Sequence, residues 1–310
     1  MLNLNVKISN LKLKSPIILA SGILGVSFSS MRRIIDSGAG AITTKSIGPR
    51  SRKGYKNPSI IEVFPGTFLN CVGLGNPGIE EFSTEIKEIK KFKIPLIVSI
   101  FGDSIDSYLD VALKAEEAGS DAIEINISCP HAKVSSIGID SKLTYSLVKT
   151  LKQNLSIPLL VKLNPNVTDI TEIAIAAENG GADAVVAINT LAAMAIDINT
   201  RRPILSHGSG GLSGKAIHPI AIKKVFDLYK ILKIPIIGCG GISDWKDIIE
   251  FFLAGASAVA LGTVLTNGVN ILSNINRNLL KFLDENGFNS INEIKGLSHN
   301  FEIQEEPDFD

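Results

Sequence analysis

Ile94-Pro95-Leu96-Ile97 and Gly119-Ser120-Asp121-Ala122-Ile123 decide the fold, because each is one copy of a signature that occurs four times. In the first signature a proline opens an apolar run. It recurs as Ser15-Pro16-Ile17-Ile18, Ile157-Pro158-Leu159-Leu160 and Ile234-Pro235-Ile236-Ile237. The second has a glycine that ends a helix, two small residues, then alanine and a β-branched residue. It recurs as Gly38-Ala39-Gly40-Ala41-Ile42, Gly181-Ala182-Asp183-Ala184-Val185 and Gly255-Ala256-Ser257-Ala258-Val259. Proline is tolerated at the first residue of a strand, and glycine supplies the left-handed turn that drops a helix back onto a sheet. In chain order the two signatures alternate and predict eight strands, the odd ones opened by proline and the even ones by the glycine turn.

The runs Ile17–Ala20, Leu96–Ile100, Leu159–Leu163 and Val185–Ile188 are almost wholly apolar, as parallel strands covered on both faces must be. Amphipathic stretches lie between most of them, among them Tyr108–Ala118, Leu143–Leu155, Ile170–Glu178 and Ile220–Leu232. The pattern predicts an α/β fold of class (β/α)8, a TIM barrel spanning 1–310 as a single domain. A doubly wound open sheet is the alternative, but it leaves the even count and the fourfold repeat as coincidence. Two connections are long, at about 47–93 and 190–233, and both leave the C-terminal end of a strand, the active face of such barrels. The N-terminal stretch alternates apolar and polar residues like a strand. The acidic tail at 299–310, ending Glu305-Glu306-Pro307-Asp308-Phe309-Asp310, reads as solvated.

Composition excludes several function classes. Basic and acidic side chains number 31 each, and the lysines are dispersed, so no field or patch favours nucleic acid or a membrane surface. No run is long and apolar enough for a bilayer, and no signal core opens the chain. Three scattered cysteines (Cys71, Cys129, Cys239) without a C-x-x-C argue against disulfides, iron–sulfur or structural zinc, and fit a reducing cytoplasmic location. His207, His218 and His299 have no metal-ligand spacing, and no metal is assigned.

The strand ends carry the chemistry. Strand four runs out as Glu124-Ile125-Asn126-Ile127-Ser128-Cys129-Pro130-His131, which presents an amide, a hydroxyl, a thiol and an imidazole together. A free cysteine is ordinarily a small buried hydrophobe, but folding demands none at this position. The other strands deliver Ser21 and Gly22, Lys45 and Ser46, Ser99, Lys162 and Asn164, Asn189 and Thr190, Gly238-Cys239-Gly240-Gly241, and Gly262-Thr263. Glycines after strands seven and eight, with a helix starting near Ser243 or Asp244, form a phosphate cradle of open N–H groups. A third glycine cluster, Gly208–Gly214, is placed to close over the same anion. Lys45 and Lys162 end apolar strands, where burial is costly unless an anion or electron-rich ring meets them. The ordinary reading is a lysine that snorkels to solvent; two on one mouth weaken it. Asn126 and Asn189 suit a planar ligand rich in amide edges, or equally a backbone group.

With these residues in place, the chain resembles the class 1 dihydroorotate dehydrogenases, flavin enzymes of pyrimidine biosynthesis, from about Ile8 to Thr263. The matching motifs include Leu19-Ala20-Ser21-Gly22, Thr44-Lys45-Ser46, Asn70-Cys71-Val72-Gly73-Leu74-Gly75-Asn76-Pro77-Gly78 and Asn126-Ile127-Ser128-Cys129-Pro130. Val161-Lys162-Leu163, Ile188-Asn189-Thr190 and Gly211-Leu212-Ser213-Gly214 follow. Met194-Ala195-Ile196-Asp197 with Arg201-Arg202-Pro203 looks like the NAD-linked 1B branch. In that branch an FMN-bearing catalytic subunit works with a partner that carries FAD and an iron–sulfur (2Fe-2S) cluster, in a heterotetramer or around a homodimer core.

The resemblance implies FMN with its phosphate on Gly240, Gly241, Gly262 and Thr263, and the rest of it lined by Ser21, Lys45, Ser46, Ser99, Asn126, Lys162, Ile188 and Gly214. It places dihydroorotate on Lys45, Asn70, Cys71, Val72, Gly73, Leu74, Asn126, Asn189 and Thr190. Cys129 becomes the general base that removes the C5 proton while hydride leaves C6. Two positions depart from the family. His131 stands where a substrate-contacting asparagine is usual, as it does in the related dihydropyrimidine dehydrogenases, and Ser99 stands where the 1B branch usually has a flavin-contacting asparagine. Three alternatives stay open: fumarate as direct acceptor, a dihydropyrimidine dehydrogenase-like activity, and a barrel that merely binds phosphate or serves as a structural subunit.

Overall fold

The computed structural model describes residues 2–127 and 137–301, so Met1, Ser128, Cys129, Pro130, His131 and 302–310 lie outside the described residues. Eight parallel strands close into a barrel: β1 (Ile17–Leu19), β2 (Ala41–Thr43), β3 (Leu96–Ile100), β4 (Ala122–Asn126), β5 (Leu159–Lys162), β6 (Ala184–Ala187), β7 (Ile236–Cys239) and β8 (Ala258–Leu261). Each pairs with its sequence neighbours, and β8 closes the ring on β1 through Val259 with Ile17 and Leu261 with Leu19. Eight helices cover it: α1 (Phe28–Asp36), α2 (Ile79–Lys90), α3 (Ile105–Glu117), α4 (Ser141–Asn154), α5 (Ile170–Asn179), α6 (His218–Tyr229), α7 (Trp245–Leu253) and α8 (Ile271–Glu285).

The fourfold repeat has a physical basis at each corner. Pro16, Pro95, Pro158 and Pro235 donate nothing, yet each carbonyl accepts the N–H of the adjoining even strand, from Val259, Ile42, Ile123 and Val185 respectively. Proline therefore sits where only an acceptor is needed. Gly38, Gly119, Gly181 and Gly255 all have positive φ, between 97° and 115°, a region that costs other residues strain. Asp121 and Asp183 perform one task twice. Asp121 accepts from the N–H of Leu96 (2.8 Å) and from Lys90 of α2 (2.5 Å), and Asp183 from Leu159 (2.8 Å) and Lys152 of α4 (2.6 Å). Glu116 and Glu178, in the last turns of α3 and α5, likewise take the N–H groups of Ile157 and Ile234 just before the prolines. Among the described residues five α-helices begin on a side-chain cap: Ser27, Ser104, Asp140, Asp169 and Asp244. These caps carry α3 and α4 two or three residues upstream of their apolar stripes, because the first turn is polar.

The N-terminal alternation is a hairpin, Val6–Ile8 with Leu11–Leu13, rather than one strand; Ser9 turns at φ 52°. The two long connections fold together. Ile60–Phe64 and Thr67–Asn70 from the first join Gly210–Gly214 and Leu191–Ala193 from the second in a four-stranded antiparallel sheet. It has its own small core of Leu69, Cys71 and Leu205, separate from the barrel core. At the other end His299 stacks on Phe226 (3.9 Å) and bonds the carbonyl of Ala254, so the stretch expected to be solvated begins with a packed residue. Among the described residues no helix is long and apolar enough to cross a membrane.

Candidate active site

The C-terminal ends of the barrel strands bring most of the expected residues into one polar network. Ser46, after β2, lies 3.3 Å from the Ser21 hydroxyl and 3.0 Å from that of Ser99. Asn126 at the end of β4 donates its amide to Ser46 (3.1 Å) and accepts from Asn189 (3.3 Å), whose own oxygen takes the N–H of Thr190 (2.8 Å). Each Asn therefore spends both amide ends on neighbours, which fixes its rotamer and its O/N sense. The Tyr108 hydroxyl, from α3, donates to the Asn126 carbonyl (2.8 Å) and pins the strand end. The N–H of Ile188, beside a cis Ala187–Ile188 bond, donates to the Cys239 carbonyl (2.7 Å) and ties β6 to β7.

Two cations occupy the mouth. Burial holds the Lys45 ammonium below its ordinary pKa, and its Nζ has no hydrogen-bond or ion-pair partner among the described residues. Lys162 is only 5% exposed. It lies in register with Asn126 and donates to the Cys239 sulfur at 3.3 Å. Burial works against its charge, but the neighbouring Cys239 and Glu124 outweigh that, and its pKa stands above the usual lysine value.

The cradle after β7 and β8 has the construction that an anion requires. The N–H groups of Gly240, Gly241 and Gly262 reach no acceptor among the described residues. Gly240 and Gly241 have φ of 134° and 72°. A Cβ on Gly240 would stand 2.9 Å from that of Ala221, and one on Gly241 would stand 2.5 Å from the His218 nitrogen, so α6 backs the cradle too closely for side chains. Asp244 caps α7 in a capping box with Asp247, and Thr263 opens the short helical turn Thr263–Asn267. His218 bonds Glu250 (2.8 Å), with Asp247 at 3.8 Å, and locks the start of α6 to α7 behind the cradle.

The antiparallel sheet supplies the remaining expected residues. Asn70 ends its second strand and donates to the Gly211 carbonyl (3.2 Å). Gly211 is required there, because a Cβ would lie 2.2 Å from Thr190 Oγ1. Gly214 (φ 91°) passes so close to the Gly66 carbonyl that a Cβ would sit 2.1 Å from its oxygen. Val72, Gly73 and Leu74 follow in a tight turn with positive φ at Gly73 and Leu74; Gly73 packs against the Tyr55 ring, which stacks on His207. The Cys71 side chain turns into the small core, 3.8 Å from the Ser206 hydroxyl.

Sequence reasoning overlooked two residues here. Asn166 bonds the Thr190 carbonyl (3.1 Å) and the Ala192 N–H (2.8 Å), bracing the entry to the sheet from the loop after β5. Glu124, two residues before Asn126 and 3% exposed, points into the barrel beneath the mouth. A charged residue in an otherwise apolar strand was the available signal.

A family model described as dihydroorotate dehydrogenase matches residues 3–283. The chain belongs to the dihydroorotate dehydrogenase family. It is 47% identical over 298 residues to the "Dihydroorotate dehydrogenase B (NAD(+)), catalytic subunit" of Pyrococcus horikoshii, covering 95% of this chain and 97% of that one. The protein of the same name from Methanocella arvoryzae is 47% identical over 291 residues, covering 93% and 95%. A crystal structure of DHODH in complex with ferulenol from Eimeria tenella superposes with TM-score 0.84 at 23% identity, over 96% of this chain and 88% of that one, a likeness of fold.

Proposed function

We propose that this chain is the FMN-bearing catalytic subunit of an NAD-linked dihydroorotate dehydrogenase, oxidising dihydroorotate to orotate in pyrimidine biosynthesis. The observation that carries the reading is the linked set Ser46, Asn126, Asn189 and Thr190 beside the buried Lys162, within a chain of this family. The relatives' names supply the substrate and the acceptor, and their designation as catalytic subunits supports a partner, for which an FAD and 2Fe-2S protein is the proposal.

The glycine cradle fits the FMN phosphate, since its N–H groups are open and its glycines cannot carry side chains. FMN, when bound, supplies the acceptor for the C6 hydride. Asn126 and Asn189, with amides already held in one sense, orient the planar substrate, and Lys45 offsets its carboxylate. Lys162 stabilises negative charge that builds on the flavin side during transfer. Cys129, outside the described residues, takes the C5 proton, and since a thiol titrates near ~8.5 the half-reaction quickens as pH rises.

Anaerobic titration of the purified chain with dihydroorotate tests the reading through the visible flavin absorbance. Bleaching is expected. A yellow protein that dihydroorotate leaves unchanged would move the substrate to another reduced pyrimidine, with His131 the first residue to exchange. Adding NAD+ or fumarate to the bleached chain then separates acceptors, because the NAD-linked type needs its partner before NAD+ is reduced.

A further inference from the structure

Beneath the network just described lies a buried carboxyl, Glu124, to which the proposed hydride transfer gives no role. Glu124, Asn126 and Lys162 share the interior face: in the parallel ladder Glu124 stands opposite Ser99 on β3 and Leu160 on β5, and Asn126 stands opposite Lys162. Glu124 Oε1 is buried and has no hydrogen-bond partner among the described residues. Few buried polar atoms in folded proteins are left so, and each needs a reason. Burial pushes the carboxyl above its usual range, opposed by the Lys162 charge and by a hydrogen bond from Ser99. Lys162 on β5 and, beyond it, Cys239 on β7 are the titratable groups facing Glu124 among the described residues.

The carboxyl is shut off from water but connected to it. Ser99 stands in register with Glu124 on the neighbouring strand; Ser99 to Ser46 is 3.0 Å and Ser46 to Ser21 is 3.3 Å. In both hydroxyl pairs either oxygen can donate, so the row can reverse its sense as a proton passes. Ser21 is partly exposed at the mouth, whereas Ser46 and Ser99 are buried.

We propose that Glu124 is the proton store of the flavin pocket, loaded through Ser21, Ser46 and Ser99 when the bound flavin takes two electrons and emptied when it gives them up. The charges require such a group. With Glu124 ionised and Lys162 protonated the floor of the pocket is neutral. A hydride delivered to the ring adds one negative charge, and a proton on Glu124 Oε1 restores neutrality where an uncompensated buried charge is costly. The hydride carries both electrons, the substrate's C5 proton goes to Cys129, and the Glu124 proton comes from solvent and returns there.

The inference rests on FMN binding at this site. The test uses the FMN-loaded chain, reduced by dithionite in equilibrium with a two-electron reference dye at a series of pH values, with the dye's own protons subtracted. Wild type should take up two protons per electron pair, so the equilibrium constant shifts about 100-fold per pH unit; Glu124→Gln should take up one, about 10-fold. A single proton in the wild type, or two in both, overturns the proposal. If Glu124→Gln does not fold or loses FMN, the infrared difference spectrum of the wild type decides. A buried protonated-carboxyl stretch that appears on reduction supports the proposal, and its absence overturns it. Because no dihydroorotate is used, a wrong substrate leaves the proton count intact, whereas failure to bind FMN counts against the functional reading itself.

Discussion

The barrel floor and the four-stranded sheet on the same end of the molecule serve one site by opposite means. The floor consists of strand ends fixed by repeated corners, in which the same proline, glycine and acidic contacts recur around the ring. Its cations and amides are held by a core that spans the whole barrel. The sheet is stitched from two connections far apart in sequence, and among the described residues only Leu69, Cys71 and Leu205 are buried in its core. On the proposed function, the difference teaches that the flavin side of the site is tied to the stability of the fold, while the substrate side rests on close backbone approaches, such as Gly211 on Thr190, outside the barrel core.

The largest effect should come from the proposed general base, which lies outside the described residues. Cys129→Ala should leave FMN bound and slow flavin reduction by dihydroorotate about 10²- to 10⁴-fold in stopped flow; an unchanged rate would remove Cys129 from the mechanism. Next, Leu160→Ala in β5 should cost about 2–5 kcal/mol and lower the Tm together with FMN retention. Leu69→Ala in the sheet should change the Tm much less and show mainly as weaker dihydroorotate binding. Equal loss of Tm in the two variants would mean that floor and sheet unfold as one unit. Gly211→Ala should raise the dihydroorotate Kd about tenfold at unchanged flavin content, since a methyl group displaces Thr190.

The smallest effect is one of pH. Burial already favours the neutral form of Lys45, so its charge is lost as pH rises through a pKa below the ordinary 10.5. Affinity for the anionic substrate should therefore decline at alkaline pH earlier than an exposed lysine would allow. Lys45→Arg, which stays charged, should abolish that decline in a binding titration across pH. A decline that persists in the arginine variant would place the titrating group elsewhere.

Much of the floor could be read from residues alone, because parallel-barrel corners impose local rules. Pro95 and Gly119 each announce a strand from a few neighbouring letters, and the eight strands lie where those letters put them, within a residue or so at their ends. The sheet was not readable in the same way. Thr67–Asn70 pairs with Gly210–Gly214 across nearly half of the chain, and the glycines that permit this look in sequence like a phosphate loop. Glu124 was missed for a related reason. It stood in the motif that drew attention to Asn126 and Cys129, but its lack of a partner at Oε1 is a property of the packed interior and not of the segment.

The closing pair of the barrel, β8 on β1, has a consequence for the order in which the molecule is made. During synthesis the apolar segment Ile17–Leu19 leaves the ribosome first and finds β2 soon afterwards, but its other edge must wait for nearly the whole chain before Val259 and Leu261 arrive. Until then that edge is an open template for the strands of other nascent chains. Closure of the ring is thus a late event of high sequence separation, which loop-closure entropy makes slow. The bond from Asn3 to the Asn289 carbonyl and the contact of the Asn292 amide with Asn5, which join the two end regions of the chain, need residues made still later than β8.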